Sequence, residues 1–77
     1  MTMRDTHTAA HMAADAFTEC LSRYTHAKEL HADGLALQLK GEAVDQVELR
    51  RAQDAVPLAR AKLDLAYAEL RSVMDRI

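Results

Sequence analysis

The sequence predicts an all-α fold, an antiparallel two-helix hairpin of coiled-coil type, and three observations carry that prediction. The composition is that of helix: 49% of residues are hydrophobic but only 4% aromatic, and Gly and Pro together number three. An apolar repeat at alternating spacings of three and four runs from Leu49 to the last residue. Between residues 41 and 45 a glycine stop is followed by a capped restart.

The second helix is the clearest element. Leu49, Ala52, Val56, Ala59, Leu63, Ala66, Leu70, Val73 and Ile77 form one unbroken seam. Its start is legible in the capping chemistry. Asp45 can cap the first amides, Glu48 can reach back from the third position, and Val44 can pack on Leu49. The helix is expected over about 45–76. Pro57 removes one backbone hydrogen bond and crowds the preceding turn, yet the seam keeps its phase through it, so a continuous helix kinked at Pro57 is predicted.

The first helix is expected over about 8–40, with Ala10, Ala13, Phe17, Cys20, Leu21, Tyr24, Ala27, His31 and Leu35 along one broad face. Gly34, which costs about 1 kcal/mol relative to alanine inside a helix, could end one segment and begin a short second one; a continuous or bent helix is expected. Lys40-Gly41-Glu42-Ala43-Val44 then makes a short connection, loop 41–44, and so short a loop forces the helices to lie side by side, antiparallel. Residues 1–7 are read as a mobile tail, and 8–77 as a single domain. At ~1.5 Å per residue each arm reaches about 45–50 Å, a thin rod. Large and small residues alternate along the seam, which predicts close approach of the helices.

A chain of 77 residues buries only ~60% of its unfolded surface. With Cys20 as its one cysteine, it has no disulfide to compensate, so a partner or self-association is expected. Cys20 itself reads as a small apolar residue on a helix. The ten basic and twelve acidic residues, net −2, are interspersed along the chain, which provides no positive field for nucleic acid. No stretch approaches the ~20 apolar residues of a membrane span, and the first residues lack a secretory pattern. A cytoplasmic protein is expected.

The function is expected to lie in a second apolar stripe. Leu58, Ala61, Leu65 and Ala68 repeat at three and four on the side of the second helix away from the seam, and a hairpin has nothing left to cover them. The first helix adds Leu30 and Leu37, seven residues apart. These six residues are the candidate partner-binding set. His7 and His11 share a helical face at i, i+4 spacing but lack a third ligand, so no metal and no cofactor is expected. Carboxylate pairs such as Asp15 with Glu19, or Glu29 with Asp33, have no water-excluding pocket to act in, and an enzyme is not expected. Charges such as Glu19 and Arg23 read as solvated helical pairs.

With these features placed, the chain resembles the small co-chaperones of the type III secretion needle subunit. The likeness rests on size, on a long first helix ending at Leu39-Lys40-Gly41, on the short loop into Asp45-Gln46-Val47-Glu48-Leu49, and on a long apolar second helix. The resemblance implies a hairpin that pairs with a tetratricopeptide-repeat chaperone and helps hold the needle subunit monomeric in the bacterial cytoplasm before export. The alternatives are a self-assembling needle or inner-rod subunit of the same system, also a helical hairpin, and a homodimeric helical bundle.

Overall fold

The computed structural model describes the backbone of residues 3–76 and the side chains of residues 7–76. It contains two helices, α1 over Met3–Leu39 and α2 over Gln46–Met74, and no strand among the described residues. The helices run antiparallel as a rod of 59 × 15 × 13 Å. Its radius of gyration, 17.4 Å, far exceeds the about 11 Å of a compact chain of this length.

α1 begins at Met3, so the helix extends into the segment expected as a tail. It also runs unbroken past Gly34 to Leu39. On its exposed side the Glu19–Arg23 pair closes at 2.6 Å and the Thr18 hydroxyl donates to the Ala14 carbonyl at 2.9 Å. Such local bonds support a helix without deciding its partner.

The turn is a glycine-terminated helix end. Gly41 takes φ +79°, the left-handed conformation that costs an L side chain ~1–2 kcal/mol. That conformation turns the Glu42 amide back onto the Leu37 carbonyl at 3.1 Å and the Gly41 amide onto the Gln38 carbonyl at 3.0 Å. Carbonyls that the helix end would leave without donors are thereby satisfied. Four residues later, Asp45 adopts an extended backbone and its carboxylate accepts from the Val47 amide at 2.9 Å and the Glu48 amide at 3.4 Å. The Glu48 carboxylate pairs with Arg51 at 3.2 Å.

α2 runs through Pro57 without interruption. Pro57 is exposed, so the Gln53 carbonyl that loses its helical donor lies on a wet surface, where water can serve it.

The seam of α2 falls where the spacing puts it. Leu63 and Val73 are buried, and Leu49, Ala52, Val56, Ala59, Ala66 and Leu70 are half-buried; Ile77 lies outside the described residues. The seam of α1 is narrower than the broad face expected. It takes Ala10, Ala13, Phe17, Cys20, Tyr24, Ala27, His31 and Gly34, all buried or half-buried, whereas Leu21 and Leu35 stand exposed beside it. A helix with one neighbour buries one stripe, and the stripe at strict three–four spacing wins over the flanking leucines.

Every second seam position of α1 from Ala13, seven residues apart, is small: Ala13, Cys20, Ala27 and Gly34. The matching positions of α2 are Ala52, Ala59 and Ala66. Small residues let two backbones approach closely, but they leave little to bury. The buried hydrophobic set is Ala13, Ala27, Leu63 and Val73, and no large side chain among those described is fully enclosed.

Three contacts fix the register. Phe17 meets Tyr67 with ring centroids 5.9 Å apart and planes tilted by 53°, a favoured aromatic geometry. The Arg60 guanidinium lies 5.6 Å from the Tyr24 ring centroid. Gly34 faces Leu49, whose Cδ1 would stand 2.7 Å from any Cβ added at residue 34. Gly34 is therefore a packing position.

Three stability predictions follow from the seam and the turn. In an exposed helix, glycine to alanine adds about 1 kcal/mol. At Gly34 the displaced Leu49 offsets that gain, so the urea midpoint of Gly34→Ala stays level or falls; a full kilocalorie of stabilisation would show that Leu49 does not pack there. Gly41 has open space around its α-carbon, so Gly41→Ala loses about 1 kcal/mol through φ alone. Leu63 is only 8% exposed, and Leu63→Asp, which places a carboxylate in the seam, is expected to abolish the helical circular-dichroism signal.

Candidate functional site

The six residues that the sequence singled out are all exposed. Leu58 is 66% and Leu65 72% accessible, and Leu30 and Leu37 are 51% and 42%. Within the hairpin Leu58 and Leu65 are largely uncovered, and Leu30 and Leu37 are covered over only about half their surface.

The structure arranges the four leucines along one side of the rod. Ala9, Ala16, Arg23, Leu30 and Leu37 recur every seven residues on the same edge of α1, beside its seam. Ala9, Met12 and Ala16 share an open hollow of about 500 Å³ with Leu65. Arg23 shares a second, of about 300 Å³, with Leu58, floored by Cys20, Ala27 and Ala55. Leu30 lines a third together with Gly34 and Leu49. Leu30, Leu37, Leu58 and Leu65 thus lie on one face spanning both helices. Ala61 and Ala68 sit farther round α2, on its outer side, where the three–four spacing carries them away from α1.

Met12, exposed at 68%, belongs to this face and was missed from the sequence. The signal was present in the phase that Ala9 and Ala16 share with Leu30 and Leu37, but alanines at a repeat position read as helix filler until the partner helix is placed.

The opposite side of the rod has a different character. There Arg60 is held by Asp64 at 3.1 Å while lying over Tyr24, and Lys28 lies over the same ring at 5.2 Å. Hydrogen bonding to Tyr24, and then the Asp64 carboxylate, push Arg60 above its usual pKa, so this cation persists at any working pH. Two cations flank one tyrosine there, as Arg23 and Lys62 flank Leu58 on the leucine face, and Leu21, Leu35, Tyr67 and Met74 are exposed apolar residues outside the leucine set.

The ion pairs, Glu19–Arg23, Arg50–Asp54, Glu48–Arg51 and Arg60–Asp64, are each three or four residues apart on one helix and largely solvated. Each is worth a few tenths of a kcal/mol, and among the described residues the recorded pairs do not bridge the helices. Shape and apolar area hold the hairpin, and Leu58 and Leu65 lie largely outside that contact.

His7 and His11 line a shallow hollow with Leu70 and Met74. No group of three or more metal-competent side chains occurs among the described residues. His26 is exposed and His31 takes a half-buried seam position. Cys20 is a free, half-buried thiol on the floor of the Leu58 hollow. No helix of the described residues is long and apolar enough to cross a membrane.

Comparison with known protein families, curated proteins and solved structures finds no match to this chain.

Because Leu58 and Leu65 lie largely outside the contact between the helices, Leu58→Asp with Leu65→Asp should keep full helicity and lose no more than about 0.5 kcal/mol per site, as surface substitutions do. Unfolding of the double variant, read by circular dichroism and urea titration, would place these leucines in the core.

Proposed function

We propose that this chain is a protein-binding hairpin whose leucine face docks on a helical-repeat partner. The observation that carries the reading is that Leu30, Leu37, Leu58 and Leu65 stand exposed on one face, between the charged side chains of Arg23, Lys62 and Glu69, of a rod whose own seam is already occupied. The surface area agrees. The chain exposes 6152 Å², against about 4,700 Å² for a compact protein of its mass.

Magnitudes point to the shape of the partner. Four large apolar side chains, at ~1.5–3 kcal/mol each, yield a gross gain no larger than the ~4–15 kcal/mol that association costs in lost freedom. A flat contact on the leucines alone would be weak. A concave surface that also wraps the edges of a rod 15 Å wide and 13 Å deep adds the missing area, and stacked helical repeats form such grooves. Ala61 and Ala68, on the outer side of α2, would then lie against the groove wall.

In its specific form the reading is a bacterial cytoplasmic co-chaperone: the hairpin pairs with a tetratricopeptide-type chaperone, and the pair keeps a type III secretion needle subunit monomeric before export. This rests on the resemblance of the Leu39–Leu49 region and of the overall build to that family. The mechanism is steric shielding. Apolar surface that would drive polymerisation is covered by apolar surface of the complex, with no covalent step and no cofactor.

The test is co-purification with the tetratricopeptide chaperone of the host's secretion system. A stable complex is expected by light scattering, and Leu58→Asp with Leu65→Asp should weaken it at least about 100-fold while the chain stays folded. Equal binding by the double variant would remove the leucine face from the interface. Assembly of the purified chain alone into filaments would replace shielding with a structural-subunit role.

A further inference from the structure

The leucine face also matches itself. Along the edge of α1 the repeat reads Ala9, Ala16, Arg23, Leu30, Leu37, with alanines on one side of Arg23 and leucines at equal distances on the other. Ala16 and Leu30 each lie about 10 Å from Arg23 along the axis, and Ala9 and Leu37 about 21 Å. On α2 the seven-residue repeat through Ala55 continues with the charged Lys62 and Glu69, and one large and one small residue flank the same level. Arg60 is level with Tyr24, and Leu65 and Ala55 stand five residues to either side of Arg60. Leu58, close to that centre, rims the hollow floored by Cys20, Ala27 and Ala55.

We propose that a second copy of this chain covers the leucine face, related by a two-fold axis that crosses the rod at Arg23. Turning one hairpin end for end and laying its leucine face on the other sets α1 against α1 and α2 against α2. Leu30 then packs on the partner's Ala16, Leu37 on the partner's Ala9, and Leu65 on the partner's Ala55. The two Leu58 side chains meet over the central hollows. Every contact off the axis occurs twice, which is the condition for a closed two-fold interface, and in each of these a large side chain meets a small one.

Arg23 falls at the axis beside Lys62 of the same hollow; the Arg23 charge is offset by its own Glu19 at 2.6 Å. The area suffices: a face 59 Å long and 15 Å wide offers roughly 900 Å², close to the ~800 Å² that each partner gives to a standard stable interface. The product is a four-helix bundle. It rests on the same face as the proposed docking role and gives that face an occupant until the partner displaces it.

The experiment uses the full chain. Light scattering across a micromolar to millimolar range should show the mass rise from 8.6 kDa to twice that value, and Leu30→Asp should pair at least about tenfold more weakly. In a Cys20→Ser background, Ala16→Cys with Leu30→Cys should give a disulfide-linked dimer on mild oxidation. Within one chain these thiols are about 21 Å apart on a single helix and cannot bond, since a disulfide needs α-carbons about 5–6 Å apart. Ala9→Cys with Leu30→Cys, out of register, should not link.

A mass of 8.6 kDa at every concentration overturns the self-pairing. A dimer in which the out-of-register thiols link as readily overturns the antiparallel arrangement. A chain that is always monomeric yet captures the tetratricopeptide partner defeats this inference alone; a registered dimer that captures no such partner defeats the docking reading alone.

Discussion

Each helix of this chain has a single neighbour, and the rest of the structure follows from that constraint. A helix packed against one partner can bury one narrow stripe, so even a sequence that is half hydrophobic leaves much of its apolar surface in water. The seam is filled by alternating large and small residues that bring the backbones close, and the closeness itself limits how much side chain is enclosed. What holds the hairpin is the length of a shallow contact. Small residues such as Ala13, Ala27 and Gly34 therefore matter as much to the fold as Leu63, because each marks a place where the other helix comes near.

The same constraint separates what the sequence disclosed from what it concealed. The α2 seam and its start were legible because they rest on local chemistry: strict spacing, a carboxylate before a helix, a glycine after one. Gly41 could be read as a helix stop because its conformation is demanded within a few residues. Gly34 was harder. As a glycine in a helix it looks like a weak point, and only the position of Leu49 on the other helix turns it into a packing residue. Leu21 and Leu35 were drawn into the expected core for the converse reason: from one helix alone, a leucine beside the seam and a leucine in it look alike.

The docking face was half legible. Leu58 and Leu65 announced themselves by repeating on the wrong side of a helix already supplied with a seam, and Leu30 and Leu37 by their seven-residue spacing. That the two pairs share a face with Met12 depends on how the helices are rotated against each other, which Phe17–Tyr67 and Tyr24–Arg60 settle and which no single-helix pattern encodes. The charged residues contributed little to either question, since each ion pair is satisfied along its own helix.

The turn at Gly41 also governs the order in which the molecule can form and come apart. Near the turn, contacts such as Gly34 with Leu49 close a short stretch of chain, whereas pairing Phe17 with Tyr67 must close one about three times longer, at about 1 kcal/mol more in chain entropy. The hairpin therefore behaves as a zipper with one sewn end, fastening from the loop outward and loosening from the termini inward. The leucine face is graded along that zipper. Leu30 and Leu37 sit on the end that closes first, while Met12 and Leu65 sit toward the end that opens first, so one face presents a rigid half and a half that breathes.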